Sequence, residues 1–582
     1  MLEPESLAIF QPFIHNAPQL DLRDLSNTEK DVCYAYEGKN IVDDDDPELK
    51  GFDLDLNTRN ISIGALILAL AIGMFSLVLG ARIITSGKVL LPSFLLGKYT
   101  TVGNTPFSFP ITTAKHYFSG HRAFSMPEAA VLSASLAVNI LLTLLFESMN
   151  YIQKCTLRWA LWREGRLQYN SNPRLFSSAR QYIPNSWSIN VISCVALILG
   201  YGSTATLTSP VNMVGISDPK GRLVKPVVPQ GWALDINAWC LCGLGMALLL
   251  QGLICSWCLA RSQHVLTWSS NPLNTARICH VELKALTASN LQRSHLQVGI
   301  KPSMSLTSRS IPSSPPSMQL NYLTVPLLQQ PSMRTRVTHA KHLAQIIWIV
   351  FFVVAIWTIV IGALGKQSGT CSANYVRTVS PVFDFLSFWQ KYCRFVARFS
   401  PNAYTDRRDW LGLVVHSLIL AFVSLGLHCA EVITEMARDE AIWRKATTSG
   451  ASPTIDSSIQ GALSWQCWVL FAFKCVVPWI FGYALETSVY VITSLLPLLT
   501  LAILLLLLGL LVEILIRHKP KGPQPTTYGD IEALAALIDD WQDGKIFWGD
   551  KGPVTEMIRR AGTSGQRLAG LQMSFLYQGL RG

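Results

Sequence analysis

Long apolar runs punctuate the chain near residues 62–81, 129–147, 188–207, 234–259, 343–364, 410–432, 465–485 and 489–515. A helix needs about 20 mostly apolar residues to cross a hydrocarbon core of about 30 Å, so each run predicts a spanning helix. The eighth holds Leu504 to Leu508 without a break. The third is the weakest, because Tyr201, Gly202, Ser203 and Thr204 make its end polar. The expected fold is all-α, a polytopic transmembrane bundle of about eight spans. Five segments follow: an acidic, disordered N-terminal stretch (1–60), spans one to four (61–259), a basic flexible loop (260–341), spans five to eight (342–516) and a C-terminal tail (517–582). The two sets of four spans show no convincing self-similarity in sequence.

Half of the 582 residues are hydrophobic and only 15% are charged, which removes the soluble-enzyme classes. The net charge of +11 would suit nucleic acid, but the basic residues flank apolar runs, where they meet anionic lipid headgroups. The expected partners are the bilayer and its anionic headgroups, with no nucleic acid. Residues 1–60 carry 14 acidic and 5 basic residues, too polar to offset chain entropy by burial. Residues 260–341 carry 9 basic residues and one acidic residue, with Ser and Pro dense from Ser303 to Ser317. This loop and the tail are the places where a protein partner would dock. Placing the loop in the cytoplasm also puts residues 149–187 and both termini there, although 82–127 and 365–408, which fall outside, are basic too. Plasma membrane and endomembranes are not distinguished. No signal peptide is visible, so the first span does the targeting.

The 13 cysteines fall mainly inside apolar runs and read as small packing residues; Cys255 and Cys258 lack a second ligand pair. No cofactor, metal ligand set or catalytic constellation stands out. Residues 383–399 mix aromatic rings with Lys391, Arg394 and Arg398 at helical spacing, which fits an interfacial helix or a loop helix packed on the bundle. In the tail, Thr527 and Asp530 have capping-box spacing, followed by Ile531, Leu534, Leu537, Ile538 and Trp541 on one face. That pattern predicts an amphipathic helix over 529–542, docked on the chain's own loops, with a turn at 547–552.

Intramembrane polar residues are the first place to look for function. Lys474 lies mid-span, and Asn139 and Gln251 fall at comparable depth, so the three compose a candidate ligand-binding centre. His428 and Glu431, three residues apart, share a helical face as a second candidate, fit for a proton relay. Lys474 has a structural alternative, an ammonium capped by backbone carbonyls beside Pro478; His428 and Glu431 have theirs in a helix that runs on into water. Arg158, Arg163 and Arg166, among Trp159 and Trp162, are candidates for contact with lipid headgroups.

Several stretches resemble a family of multi-pass membrane proteins of filamentous fungi that has no known activity. They are Cys155 to Leu167, Thr267 to Thr275, Asp409 to Glu431, Gln524 to Asp530 and Phe547 to Lys551. The resemblance implies a fungal source and a membrane location and transfers no site. Two functional readings remain: a solute or ion transporter built around Lys474, and a non-catalytic scaffold or receptor-like protein working through its basic loop and tail.

Overall fold

The computed structural model describes residues 55–86, 121–125, 128–172, 174, 176–212, 232–262, 265–281, 323–367, 394–398, 409–453, 464–487, 490–540 and 544–580. Among these residues, eight helices are long and apolar enough to cross a membrane: α1 (Leu56–Ser86), α2 (Glu128–Arg163), α3 (Trp187–Leu207), α4 (Ala238–Ala260), α5 (Thr338–Gln367), α6 (Asp409–Arg444), α7 (Trp465–Ala484) and α8 (Leu495–Arg517). Side chains such as Ile67, Val195, Leu253, Ile359, Leu418 and Ile514 stand exposed around them, a belt suited to acyl chains.

The runs in the sequence coincide with these helices, but α2 and α6 continue well past residues 147 and 432, to 36 residues each. The apolar window closes there because each helix acquires a polar stripe. Glu147, Tyr151, Lys154 and Arg158 recur at helical spacing on α2, as do His428, Glu431, Glu435 and Arg438 on α6. The polar end of α3 is buried, from Tyr201 to Ala205, because small side chains let neighbouring helices approach closely. Where α3 meets α7, a Cβ added to Gly482 would lie 2.2 Å from the carbonyl oxygen of Ala205. At the crossing of α1 and α4, a Cβ on Gly245 would lie 2.8 Å from the carbonyl oxygen of Gly73.

The eight helices form two sets of four with the same plan. In the first, α4 packs on α1 and α3, and α2 on α1, α3 and α4; in the second, α8 packs on α5 and α7, and α6 on α5, α7 and α8. Corresponding helices match in length: 31 and 30 residues, 36 and 36, 21 and 20, 23 and 23. The strands repeat as well. β1 (His121–Ser125), β2 (Thr208–Asn212) and β3 (Trp232–Asn237) form an antiparallel sheet in the order β1-β3-β2. β4 (Arg394–Arg398), β5 (Leu485–Thr487) and β6 (Tyr490–Ser494) form another in the order β4-β6-β5. Both sheets lie in the connections opposite the start of α1. The seam between halves joins α3 to α6 and α7, and α2 to α7.

The repeat extends to the other face. The segment after α4 docks on α2: Trp159 Nε1 donates to the Thr267 carbonyl at 2.8 Å, and the Tyr151 hydroxyl donates to that of Trp268. The segment after α8 docks on α6: Trp443 Nε1 donates to the Pro525 carbonyl at 2.9 Å, and Glu440 Oε2 accepts from the Thr527 and Tyr528 amides at 2.8 and 2.9 Å. Each segment then starts a short helix, 272–281 in the first half and α9 (Ile531–Leu537) in the second. The halves exchange contacts here. The Asn170 amide, after α2, donates to the Gly529 carbonyl at 2.8 Å, while Asn271 Nδ2 donates at 2.8 Å to the carbonyl of Ser452, after α6.

Several expectations are corrected. The basic loop is structured at both ends: Thr267, Ser269, Leu273 and Met333 are fully buried, because the polar segment satisfies its hydrogen bonds against α2. Its middle, 282–322, lies outside the described residues, as does 1–54. The helix expected over 529–542 is shorter, and Asp530 rather than Thr527 caps it, since Thr527 is bound to Glu440. Residues 547–552 belong to β7 (Phe547–Pro553), which pairs with β8 (Ile558–Ser564), itself parallel to β9 (Leu576–Gln578). Of the helix expected over 383–399, residues 394–398 are strand β4; the rest lies outside the described residues. The all-α class therefore becomes a helical bundle with three small sheets.

Candidate functional site

Lys474 sits halfway along α7, about 15 Å from either end at 1.5 Å per residue. An ammonium at that depth needs an anion, and it has two. Its Nζ lies 2.7 Å from Glu147 Oε1 on α2 and 3.0 Å from Glu431 Oε1 on α6. Glu431 in turn pairs with Lys154 of α2, whose Nζ also reaches Glu435 Oε1 at 2.9 Å. His428 Nδ1 lies 3.2 Å from the second oxygen of Glu431. Acid and base thus alternate in a ladder, Glu147, Lys474, Glu431, Lys154, Glu435, which crosses the seam between the two halves. Carbonyl capping of Lys474 is replaced by carboxylate pairing.

The structure joins the candidate pair His428 and Glu431 to Lys474, but it separates Asn139 and Gln251 from that centre. Asn139 turns back on its own helix, donating to the Ser135 carbonyl at 3.0 Å. Gln251 belongs to a separate polar knot on another side of α2, where its Nε2 donates to Gln153 Oε1 at 3.0 Å and its Oε1 accepts from Ser193 at 2.7 Å. Arg174 enters the knot from the connection after α2, donating to Ser193 Oγ and Asn190 Oδ1 at 2.9 and 3.0 Å. Burial pushes that guanidinium below its usual basicity.

Glu147 and Lys154 are members of this charged cluster that the sequence alone did not single out. The signal was present as spacing, since the α2 stripe continues beyond the apolar run at positions that face the α6 stripe.

At the outer end of the ladder lies a cavity of about 370 Å³, in the size range of small-molecule sites. Its walls include Asp55, Tyr151, Lys154, Arg158, Asn170, Ser171, Asn172, Glu435 and Arg438. Lys154 belongs to both cavity and ladder, so the two are continuous. Arg158 is corrected from a headgroup residue to an interior one. It is 5% exposed, and its Nη1 donates to the Ser269 carbonyl at 2.7 Å and to Thr275 Oγ1 at 3.2 Å. Arg166 stays near the surface, paired with Glu164 at 2.9 Å, and Arg163 is half-buried. Across the cavity, Arg438 pairs with Asp439, which also accepts from Asn170 Nδ2 at 3.0 Å.

No family model, curated protein or solved structure matches the chain, so the site is read from its own geometry.

Proposed function

We propose that the protein is an integral membrane transporter in which a polar solute enters the cavity and a proton or cation moves on the ladder. The observation that carries this reading is the position of the ladder. Alternating access works by rocking one helical half against the other around a site between them, and the ladder is the charged contact between the halves. Its charge count points the same way. Three carboxylates face two ammonium groups, so the Glu and Lys side chains of the cluster leave one excess negative charge. Adding one proton or monovalent cation balances it, and a buried charge is stable only when balanced. Glu147, with a quarter of its side chain exposed, is the acid best placed to take that charge. The face holding the C-terminal tail and the connections after α2, α4 and α6 is assigned to the cytoplasm.

The scaffold reading has less support, because α9 buries Ile531, Leu534 and Leu537 on the chain itself rather than offering them to a partner.

The test is proton flux into vesicles that contain the purified protein and a pH-sensitive dye, with candidate solutes outside. Glu147→Gln leaves two acids for two lysines and so keeps the bundle balanced. We expect solute-dependent flux in the wild type and none in Glu147→Gln or Lys474→Met, with elution profiles unchanged for Glu147→Gln. Equal flux in Glu147→Gln would remove the ladder from the mechanism.

A further inference from the structure

We infer that the cavity binds an oxyanion group, a carboxylate or a phosphate, and that Arg158 is the residue that holds it. This names a ligand class for the proposed transport site; it depends on the transport reading only for where the ligand goes, and binding is measured without flux.

The cavity's other cations are already matched. Lys154 lies between Glu431 and Glu435, and Arg438 is held by Asp439. Asp55 caps α1, accepting from the Thr58 hydroxyl at 2.7 Å and the Thr58 amide at 3.3 Å. Arg158 differs. It has no carboxylate within ion-pair distance among the described residues, it bonds only neutral oxygens through Nη1, and its buried Nε has no acceptor. A guanidinium stays charged even when buried, and leaving it without a counter-charge is costly. On the wall of a cavity of about 370 Å³, the guanidinium gains the counter-charge it lacks when an oxyanion enters. A planar fork suits both carboxylate and phosphate, and the polar residues Asn170, Ser171 and Asn172 line the same space.

Such a group arrives on a soluble anion or on a lipid headgroup, and thermal unfolding in detergent separates the two sources, because a ligand specific to the folded state raises the unfolding temperature. The probes are sodium phosphate and sodium citrate against sodium chloride at matched ionic strength, and phosphatidic acid against phosphatidylcholine in the micelle. Two variants accompany the wild type. Arg158→Gln removes the charge. Ser171→Asp keeps Arg158 and its bonds to Ser269 and Thr275 while supplying a carboxylate to the same cavity. We expect phosphate or citrate to stabilise the wild type, with the concentration needed raised about 10- to 100-fold in either variant, as for loss of a charge-assisted hydrogen bond. A shift with phosphatidic acid alone, lost in the same variants, supports the site with a headgroup as its source. The inference is overturned if chloride acts as strongly as the oxyanions, if no probe shifts the wild type, or if the shift survives intact in both variants.

Discussion

The two halves of the bundle share one plan but carry opposite charges at two equivalent places along their seam. α2 and α6 have the same length, so positions correspond at an offset of 281 residues (409 minus 128). Glu147 then matches His428, Lys154 matches Glu435, and Arg158 matches Asp439. Lys154 and Glu435 are themselves an ion pair at 2.9 Å, as equivalent residues are when they flank a two-fold axis. A symmetric frame would put like charges together there; opposite charges turn the same place into an attraction. Glu431 breaks the pattern, because its counterpart is the neutral Asn150. The excess acid in the ladder therefore comes from the second half alone.

The sharpest way to break this comparison is at the axis. Glu435→Lys would set two ammonium groups against each other beside Glu431 and is expected to cost about 3–5 kcal/mol, the range for disrupting a buried ion pair. The reciprocal double variant Lys154→Glu with Glu435→Lys should recover only part of this loss. In it, the carboxylate introduced at position 154 would face Glu431, which has no symmetric partner to compensate. Unfolding of the three variants in detergent gives the coupling directly. Full recovery would mean that Glu431 is not part of the ladder.

Arg158 and Asp439 sharpen the comparison on a smaller scale. Asp439 accepts from both Arg438 and Asn170, so Asp439→Asn leaves a cation without its anion and should destabilise by about 1.5–3 kcal/mol. Arg158 has no anion to lose, and Arg158→Gln gives up the bonds to Ser269 and Thr275 while relieving a buried charge that has no counter-charge, two effects of opposite sign. In ligand-free buffer, Arg158→Gln should therefore change stability by less than about 1 kcal/mol. Equal losses in the two variants would show that the halves balance their charges in the same way.

How much of this was legible in the sequence follows from the same residues. Hydropathy located all eight helices, since a bilayer-length apolar run has few other uses. It stopped short on α2 and α6 because the helical stripes from Glu147 to Arg158 and from His428 to Arg438 are charged, although their spacing is as periodic as a core face. Lys474 was found from its depth. Its partners were not, because they sit on helices 327 and 43 residues away in sequence and only packing brings them together. The repeat stayed hidden because equivalent positions of α2 and α6 differ in residue type, with charge reversed at Lys154/Glu435 and Arg158/Asp439, leaving little beyond Ala160-Leu-Trp-Arg163 and Ala441-Ile-Trp-Arg444 in common. Element lengths and strand order preserve what residue identity does not.

The smallest expected effect tests whether the repeat extends to the caps. Asn271 Oδ1 accepts from the Leu273 amide at 3.1 Å to start the short helix of the first half, and Asp530 Oδ1 accepts from the Ala533 amide at 3.0 Å to start α9 in the second. Loss of a capping side chain costs about 1 kcal/mol, so Asn271→Ala and Asp530→Ala should each lower stability by about that amount. They should not be equal. Asn271 also donates to the Ser452 carbonyl across the seam, a bond that Asp530 cannot imitate because a carboxylate has no hydrogen to give. Asn271→Ala should therefore cost about 1 kcal/mol more than Asp530→Ala, while Asn271→Asp, which keeps the cap and loses only the donor, should fall between wild type and Asn271→Ala. If Asn271→Asp is as stable as wild type, the bond to Ser452 does not help hold the halves together, and the seam rests on the ladder, on the Asn170 bonds to Gly529 and Asp439, and on the packing of α2 and α3 against α6 and α7.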